Sequence, residues 1–129
     1  MNSYQTATPV PTESVEQQRL FQWARMASGA HPELRLMYKI PNEGKRSVVA
    51  GAMLKRAGMR PGFPDLFLPR PRGKYHGLFI EMKYDRGKTS KDQEEWISLL
   101  RGEGYACAVC YNASEAIEII EKYNKGDRK

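Results

Sequence analysis

The chain has 129 residues, of which 40% are hydrophobic and 28% charged, and 21 Lys and Arg against 15 Asp and Glu give a net charge of +6. This length and composition suit one domain with a buried core and exclude a disordered or fibrous chain. A membrane-spanning helix, a signal peptide and a disulfide framework are also not expected, because the sequence has no long apolar run, no charged-then-apolar N-terminus and only two cysteines. We therefore expect a small, soluble, cytoplasmic domain with no membrane partner.

The spacing of apolar and turn-forming residues predicts alternating helices and strands. Residues 1–12 are polar and aperiodic and are expected to be a flexible tail, and 125–129 a charged tail, which leaves a single domain over 13–124. The predicted elements are a helix over 14–28, a strand over 34–40, a helix over 47–58, strands over 65–68 and 77–83, a helix over 90–102, a strand over 106–111 and a helix over 114–123. This order predicts an α/β fold with a central mixed sheet flanked by helices.

Positive charge is concentrated in the middle of the chain. Residues 43–88 contain 11 basic and 4 acidic side chains, a net of +7, whereas the rest of the chain carries −1. Such a cluster favours a polyanion, most often nucleic acid, because binding releases counterions; a solvated face that aids solubility is the alternative. The loops over 70–74 and 86–91 are expected to flank the strands that carry the candidate acidic residues. The basic residues expected to bind DNA are Lys45, Arg46, Arg70, Arg72, Lys74, Arg86 and Lys88.

Asp65 and Glu81 are candidates for a metal site on neighbouring strands. Because side chains alternate across a strand, Glu81 and Lys83 share one face, while the apolar residues 78, 80 and 82 face the core. Two converging carboxylates repel unless a cation lies between them, and their oxygens suit Mg²⁺ or Mn²⁺. With Lys83 beside the scissile phosphate, such a site would hydrolyse a phosphodiester. The alternative is an Asp at a strand start and a Glu–Lys surface pair.

Two further polar residues belong to this hypothesis. Glu16 falls on the apolar stripe of the first helix, where a carboxylate needs a partner such as the metal or Lys83. The alternative is that Glu16 favours the positive end of its own helix, and Glu13, one turn earlier, is the fallback ligand. Gln93 completes a capping box with Ser90, and it is equally placed to face the cleft and position the nucleophile or the lysine.

Other chemically active residues are given structural roles. Cys107 and Cys110, three apart on a strand, point to opposite faces and are expected to be buried thiols rather than metal ligands. His31 and His76 lie apart from the carboxylates. DNA contact and ordinary packing remain equal alternatives for three residues at the end of the strand over 34–40, namely Tyr38, Lys39 and Asn42.

The ordered series of motifs resembles the VRR-NUC family of the PD-(D/E)xK nuclease superfamily. The resemblance extends from Glu16 to about Tyr123 and rests on Glu16-Gln17, Pro41-Asn42-Glu43-Gly44, Gly62-Phe63-Pro64-Asp65-Leu66, the strand from Gly77 to Lys83, Ser90 to Gln93 with Trp96, and Gly104-Tyr105. It implies the restriction-endonuclease-like fold, with an αβββαβ core, and Mg²⁺- or Mn²⁺-dependent DNA cleavage. The Val-Arg-Arg tripeptide behind the family's name does not occur in this chain.

The resemblance also implies roles for individual residues. Glu16, Asp65, Glu81 and the backbone carbonyl of Met82 would bind metal, and the catalytic lysine and its supporting glutamine would be Lys83 and Gln93. The chain looks like a stand-alone, phage- or bacterial-type member, and such members look similar to Holliday-junction resolvases. This implies a homodimer that cuts four-way junctions or other branched DNA and has no small-molecule substrate. The alternatives are a DNA-binding module that keeps the fold without cutting, and a domain that does not bind nucleic acid.

Overall fold

The computed structural model describes residues 13–41, 48–84 and 87–126, apart from the side chain of Glu13. Residues 1–12 and 127–129, most of the two predicted tails, lie outside these ranges. The elements in chain order are α1 (Glu13–Ala27), a 3-10 helix (Pro32–Leu36), β1 (Tyr38–Lys39), α2 (Val48–Arg56), β2 (Leu66–Leu68), β3 (Leu78–Met82), α3 (Lys91–Gly102), β4 (Ala106–Cys110) and α4 (Ala113–Asn124). Within the described ranges, no helix is both long and apolar enough to cross a bilayer.

The predicted strand over 34–40 is wrong over most of its length. A 3-10 helix occupies Pro32–Leu36, and only Tyr38 and Lys39 pair as a strand. Leu34 and Met37, three residues apart, are 3% and 9% exposed, so burial in this segment has a period of three rather than two. Proline at the first helical position favours the helix, because its fixed φ suits it and its missing N–H would have no partner there.

A mixed four-stranded sheet in the order β1-β2-β3-β4 forms the centre of the fold. Each neighbouring pair among β1, β2 and β3 is antiparallel, whereas β4 lies parallel to β3, and α3 makes the crossover that a parallel pair needs. The predicted α/β class with a mixed central sheet flanked by helices is therefore confirmed.

Both faces of the sheet are covered. On one face, residues 78, 80 and 82 of β3 join a core with α1 and α4, as predicted. The members of this core from the sheet and the two helices include Leu20, Ala24, Leu66, Leu68, Leu78, Ile80, Met82, Ala116 and Ile120. On the opposite face, Phe67 and Phe79 stack with ring centroids 4.2 Å apart, and Phe63 bridges edge-on from Phe79 to Trp96 of α3. This second layer buries Glu81 between the sheet and α3.

Candidate active site

Asp65 and Glu81 lie opposite each other at one end of the sheet. In the β2–β3 ladder Leu66 pairs with Ile80, so the next step of the register places Asp65 across from Glu81, with both side chains on the same face. The main-chain N–H of Met82 donates to Asp65 Oδ2 at 2.9 Å, which fixes that carboxylate against the end of β3. The fold therefore brings together the two carboxylates that the sequence predicted.

The carboxylate of Glu81 is almost completely buried, with 3% of the residue exposed. Burying a charge is costly unless it is paired and hydrogen-bonded. Gln93 Nε2 donates to Glu81 Oε2 at 2.9 Å, and Lys83 Nζ lies 3.8 Å from the same oxygen. An amide donor and a cation thus compensate the buried charge, and the predicted common face of Glu81 and Lys83 is confirmed.

Lys83 follows the last residue of β3 but keeps the alignment of the sheet. Its backbone N–H donates to the Cys110 carbonyl at 2.8 Å, which continues the parallel pairing with β4 by one residue. Its side chain is 13% exposed. The ammonium group is therefore held beside Glu81, and the lysine side chain is not completely buried.

Gln93 satisfies both of the roles that the sequence left open. The side-chain Oε1 of Gln93 accepts from the backbone N–H of Ser90 at 2.8 Å, and the backbone N–H of Gln93 donates to Ser90 Oγ at 3.1 Å. The capping box of α3 is therefore complete. The side-chain nitrogen Nε2 of Gln93 is the atom that donates to Glu81. A single side chain thus caps the helix and orients the carboxylate.

Glu16 has partners other than a metal. Its Oε1 accepts from the N–H of Ala113, the first residue of α4, at 2.8 Å, and its Oε2 accepts from Arg19 Nη1 at 2.9 Å. A carboxylate at a helix N-terminus is favoured by unpaired N–H groups and by the helix dipole. Contact with α4 thus explains the burial of Glu16, which is 7% exposed. Its role as a metal ligand stays a prediction, as does that of Glu13, whose side chain lies outside the described part.

The donor set fits a hard divalent cation. Asp65 and Glu81 supply carboxylate oxygens on one face, and the resemblance adds the carbonyl of Met82 at the adjoining strand end. Oxygen donors of this kind suit Mg²⁺ and Mn²⁺, which keep several waters and need few protein ligands. Within residues 13–41, 48–84 and 87–126, no three His, Cys, Asp or Glu side chains cluster closely enough to hold a metal. The described site is therefore a two-carboxylate site with Lys83 beside it.

Three of the basic residues expected to bind DNA lie at the other end of the sheet. The loop over 69–77 joins the end of β2 to the start of β3, which is opposite to the end that holds Asp65. Arg72 Nε donates to the Asn124 carbonyl at 2.8 Å, and the Arg70 carbonyl accepts from the Tyr123 hydroxyl at 2.6 Å, so this loop ties down the C-terminal end of α4. The loop over 70–74 thus flanks the two strands that carry the carboxylates, as expected, but at the end of the sheet away from Asp65.

The remaining basic residues are placed as follows. Lys74 is exposed, with its ammonium 5.5 Å from the ring centre of Tyr75, and Lys88 is exposed in the loop that follows the carboxylate end of β3. Lys45, Arg46 and Arg86 lie outside the described residues. DNA binding by all seven stays a prediction.

The turn before Asp65 supports the site in a way that the sequence did not reveal. Trp96 Nε1 donates to the Pro61 carbonyl at 3.0 Å, and the Arg60 guanidinium lies 4.4 Å from the centre of the Trp96 ring. Gly62 has φ +93°, and a Cβ there would lie 2.7 Å from the carbonyl carbon of Asp92. The turn therefore packs directly on the first turn of α3. The Gly62-Phe63-Pro64 string indicates a turn in the sequence, but it does not show which element of the fold this turn contacts.

The cysteines play no part in the site. Both are free; Cys110 is buried as predicted, whereas Cys107 is half-buried. Burial, and secondarily the nearby Glu115 carboxylate, raises the pKa of the Cys110 thiol to about 12. Burial also raises the pKa of Cys107, against the opposing effect of Arg101. Both thiols are therefore protonated near neutral pH.

Comparisons with known proteins agree with this fold. The family model of the VRR-NUC domain matches residues 2–114. The chain is also similar to a solved structure described as a VRR-NUC domain protein, with a TM-score of 0.80 and 30% sequence identity over 92% of this chain and 93% of that chain. The comparison with curated proteins found no match. The family match covers most of the chain and includes Asp65, Glu81, Lys83 and Gln93. The chain belongs to the VRR-NUC family of nuclease domains.

Proposed function

We propose that this nuclease domain is a Mg²⁺- or Mn²⁺-dependent endonuclease that hydrolyses phosphodiester bonds in branched DNA. The observation that supports hydrolysis most directly is the buried Glu81 carboxylate, with Gln93 at 2.9 Å and Lys83 at 3.8 Å. A module that only binds DNA needs basic residues but no buried, oriented carboxylate opposite a second one. The site therefore favours cleavage over the non-cutting alternative.

Asp65, Glu81 and the carbonyl of Met82 would hold the metal, and Glu16 is a further predicted ligand. When bound, the metal supplies Lewis-acid polarisation of the phosphate and lowers the pKa of a bound water. Binding would also neutralise the mutual repulsion of the two carboxylates.

The chain's own residues orient the site and supply positive charge. Lys83 offers an ammonium group to the non-bridging oxygens of the scissile phosphate, whose charge rises as the attacking oxygen approaches. Gln93 holds the Glu81 carboxylate in one orientation, and the Met82 N–H does the same for Asp65. Because these partners are in place before substrate binds, little reorganisation is needed during the reaction.

The preference for branched DNA and the homodimer are proposed on the family resemblance and on symmetry. A two-fold dimer presents two identical sites to two strands, which suits paired nicks across a four-way junction. The net charge of +6 supports a DNA partner through counterion release.

Cleavage of defined DNA structures tests the proposal. Labelled four-way junction, flap and linear duplex are incubated with the pure protein in Mg²⁺, Mn²⁺ or EDTA, and the products are separated on denaturing gels. We expect cleavage only with metal and faster cleavage of the branched substrates. Intact DNA under every metal condition would exclude the enzyme, and light scattering that gives a 14.8 kDa particle would exclude the dimer.

Two variants separate cutting from binding. Lys83→Ala and Asp65→Asn are expected to abolish cleavage while junction binding in a mobility-shift assay persists. Lys122→Ala, which removes an exposed cation from α4, serves as the matched control and is expected to cut normally. Normal cleavage by Asp65→Asn would show that the site is wrongly assigned. Loss of junction binding by both variants would instead point to a folding defect.

A further inference from the structure

A groove beside the carboxylate end of the sheet has no role in the chemistry described above. It lies between α1 and the edge strand β1 and has a volume of about 500 Å³. Its lining consists of Ser14, Gln17, Gln18, Phe21, Gln22 and Arg25 from α1, and Lys39 from β1. The α1 residues stand at steps of three and four, so they form one continuous stripe along the helix.

The groove starts at the end of the sheet where Asp65 lies. The N-terminal half of α1 is fixed there, because Glu16 accepts a hydrogen bond from the start of α4. Helix α4 follows the C-terminal end of β4, which lies beside the end of β3 that carries Glu81. On the other wall, Lys39 pairs with Leu66, and the next residue, Ile40, donates its N–H to the Asp65 carbonyl at 2.7 Å. At 1.5 Å per residue, the stripe from Ser14 to Arg25 extends roughly 16 Å away from that end.

The lining has the chemistry of a nucleic-acid strand site. Two cations, Arg25 and Lys39, stand on it, and among the described lining residues none is acidic. Phe21 lines the same groove; it is half-buried, packed in part against the core, and offers an aromatic surface on which bases stack regardless of sequence. Gln17, only 7% exposed, lies in the same groove and supplies an amide that can both donate and accept.

The dimensions favour a single strand over a duplex. A volume of about 500 Å³ lies within the roughly 300–1,000 Å³ of pockets that take small organic ligands. A base with its sugar fits such a space, whereas a duplex arm does not. Over roughly 16 Å a strand that rises about 3.4 Å per nucleotide presents some four phosphates, enough to meet both cations.

We infer that this α1–β1 groove binds an unpaired strand of the DNA substrate on its way to or from the carboxylates. The inference rests on the proposed endonuclease function and gives the substrate a specific feature, an unpaired segment next to the cleavage site. Arg25 and Lys39 contact its phosphates, and Phe21 stacks on one base. The groove would thereby favour flaps and open junctions over continuous duplex.

Binding of a labelled short oligothymidylate, followed by fluorescence anisotropy in EDTA over a salt series, tests the inference. Each phosphate contact to a single strand contributes about 0.7 to the slope of log K against log salt, so Arg25→Ala with Lys39→Ala should lower that slope by about 1.4. The corresponding loss of affinity at low salt is about tenfold or more. Phe21→Leu should weaken binding roughly fivefold or more through lost stacking but leave the slope unchanged.

Matched controls identify the groove as the cause. Arg35→Ala with Lys122→Ala removes the same number of cations from other, exposed positions and should leave the slope as in wild type. Thermal unfolding of every variant verifies folding. The inference is overturned if the groove variant binds like wild type, if the control loses as much affinity, or if a duplex of equal length is affected more than the single strand.

The cleavage assay distinguishes this failure from failure of the proposed function. A protein that binds oligothymidylate through the groove but cuts no DNA in any metal would refute the endonuclease and leave the groove assignment intact. Metal-dependent cleavage with unaltered strand binding by the groove variant would refute the groove alone.

Discussion

Removing the Glu16 side chain should destabilise the protein even when no metal is present. The Glu16→Ala variant leaves the Ala113 N–H at the start of α4 without its acceptor at 2.8 Å, in a place where Ala113 is 7% exposed. Loss of a hydrogen bond to a charged group costs about 1.5–3 kcal/mol. The ion pair with Arg19 adds little, because the arginine side chain is 57% exposed.

The expected loss corresponds to a measurable fall in Tm. An unfolding entropy of about 2.1 cal/mol/K per residue gives about 0.27 kcal/mol/K for a chain of this length, so the loss lowers Tm by about 6–11 °C. Calorimetry in EDTA measures it. Glu16→Gln, which keeps an acceptor oxygen for the Ala113 N–H, should lose less than half as much.

A control and a metal titration complete this test. Glu118→Ala removes an exposed carboxylate from α4 and should change Tm by no more than about 1–2 °C. An unchanged Tm for Glu16→Ala in EDTA would refute the structural role. If calorimetric titration then showed that Mg²⁺ affinity had fallen, Glu16 would be a metal ligand, as the family resemblance implies.

Three further predictions concern the turn, the amide and the thiol. Gly62→Ala combines a left-handed φ with a close approach to the main chain of α3, so it should lower the free energy of unfolding by about 2–5 kcal/mol in denaturant unfolding. The control Gly51→Ala, with no atom within 4 Å of the new Cβ, should be neutral or slightly stabilising. Gln93→Glu keeps the capping acceptor for the Ser90 N–H but places a second carboxylate against Glu81, so it should cleave more slowly than wild type and lower Tm. Cleavage at the wild-type rate would refute the orienting role of Gln93. The pKa of Cys110 is raised from 9.0 to about 12, so between these pH values the unfolded chain binds fewer protons than the folded protein. Calorimetry should therefore show stability falling as pH rises through that interval. A rise in stability over the same interval would contradict the burial argument.

Local patterns were sufficient to predict most of the elements and the two central carboxylates. Alternation along β3 placed residues 78, 80 and 82 in the core, and the capping box of Ser90 and Gln93 marked the start of α3, because both signals arise within a few residues of sequence. The same alternation put Glu81 and Lys83 together on the other face. These predictions needed no knowledge of distant contacts.

What the sequence did not reveal depends on contacts across the chain. Glu16 meets Ala113, 97 residues away, and nothing near either residue identifies the other. The error at 34–40 arose because a short apolar string fits a period of two or three until packing decides. The position of Arg70 could have been predicted, because the loop that connects two consecutive antiparallel strands lies at the end opposite Asp65. The prediction used only the charge of this loop and therefore missed it.

The position of a cation in the sheet topology, rather than its place in a charged stretch of sequence, determines whether it can serve the site. Among the basic residues of the stretch 43–88, which has a net charge of +7, Arg70 and Arg72 lie in the loop that contacts the C-terminal end of α4. Lys83, in contrast, lies at the end of the sheet that holds the two carboxylates. The proposed strand groove takes its two cations, Arg25 and Lys39, from a part of the chain outside that stretch. If DNA enters at the carboxylate end, the salt dependence of strand binding should therefore respond to these two residues more than to the arginines of the far loop.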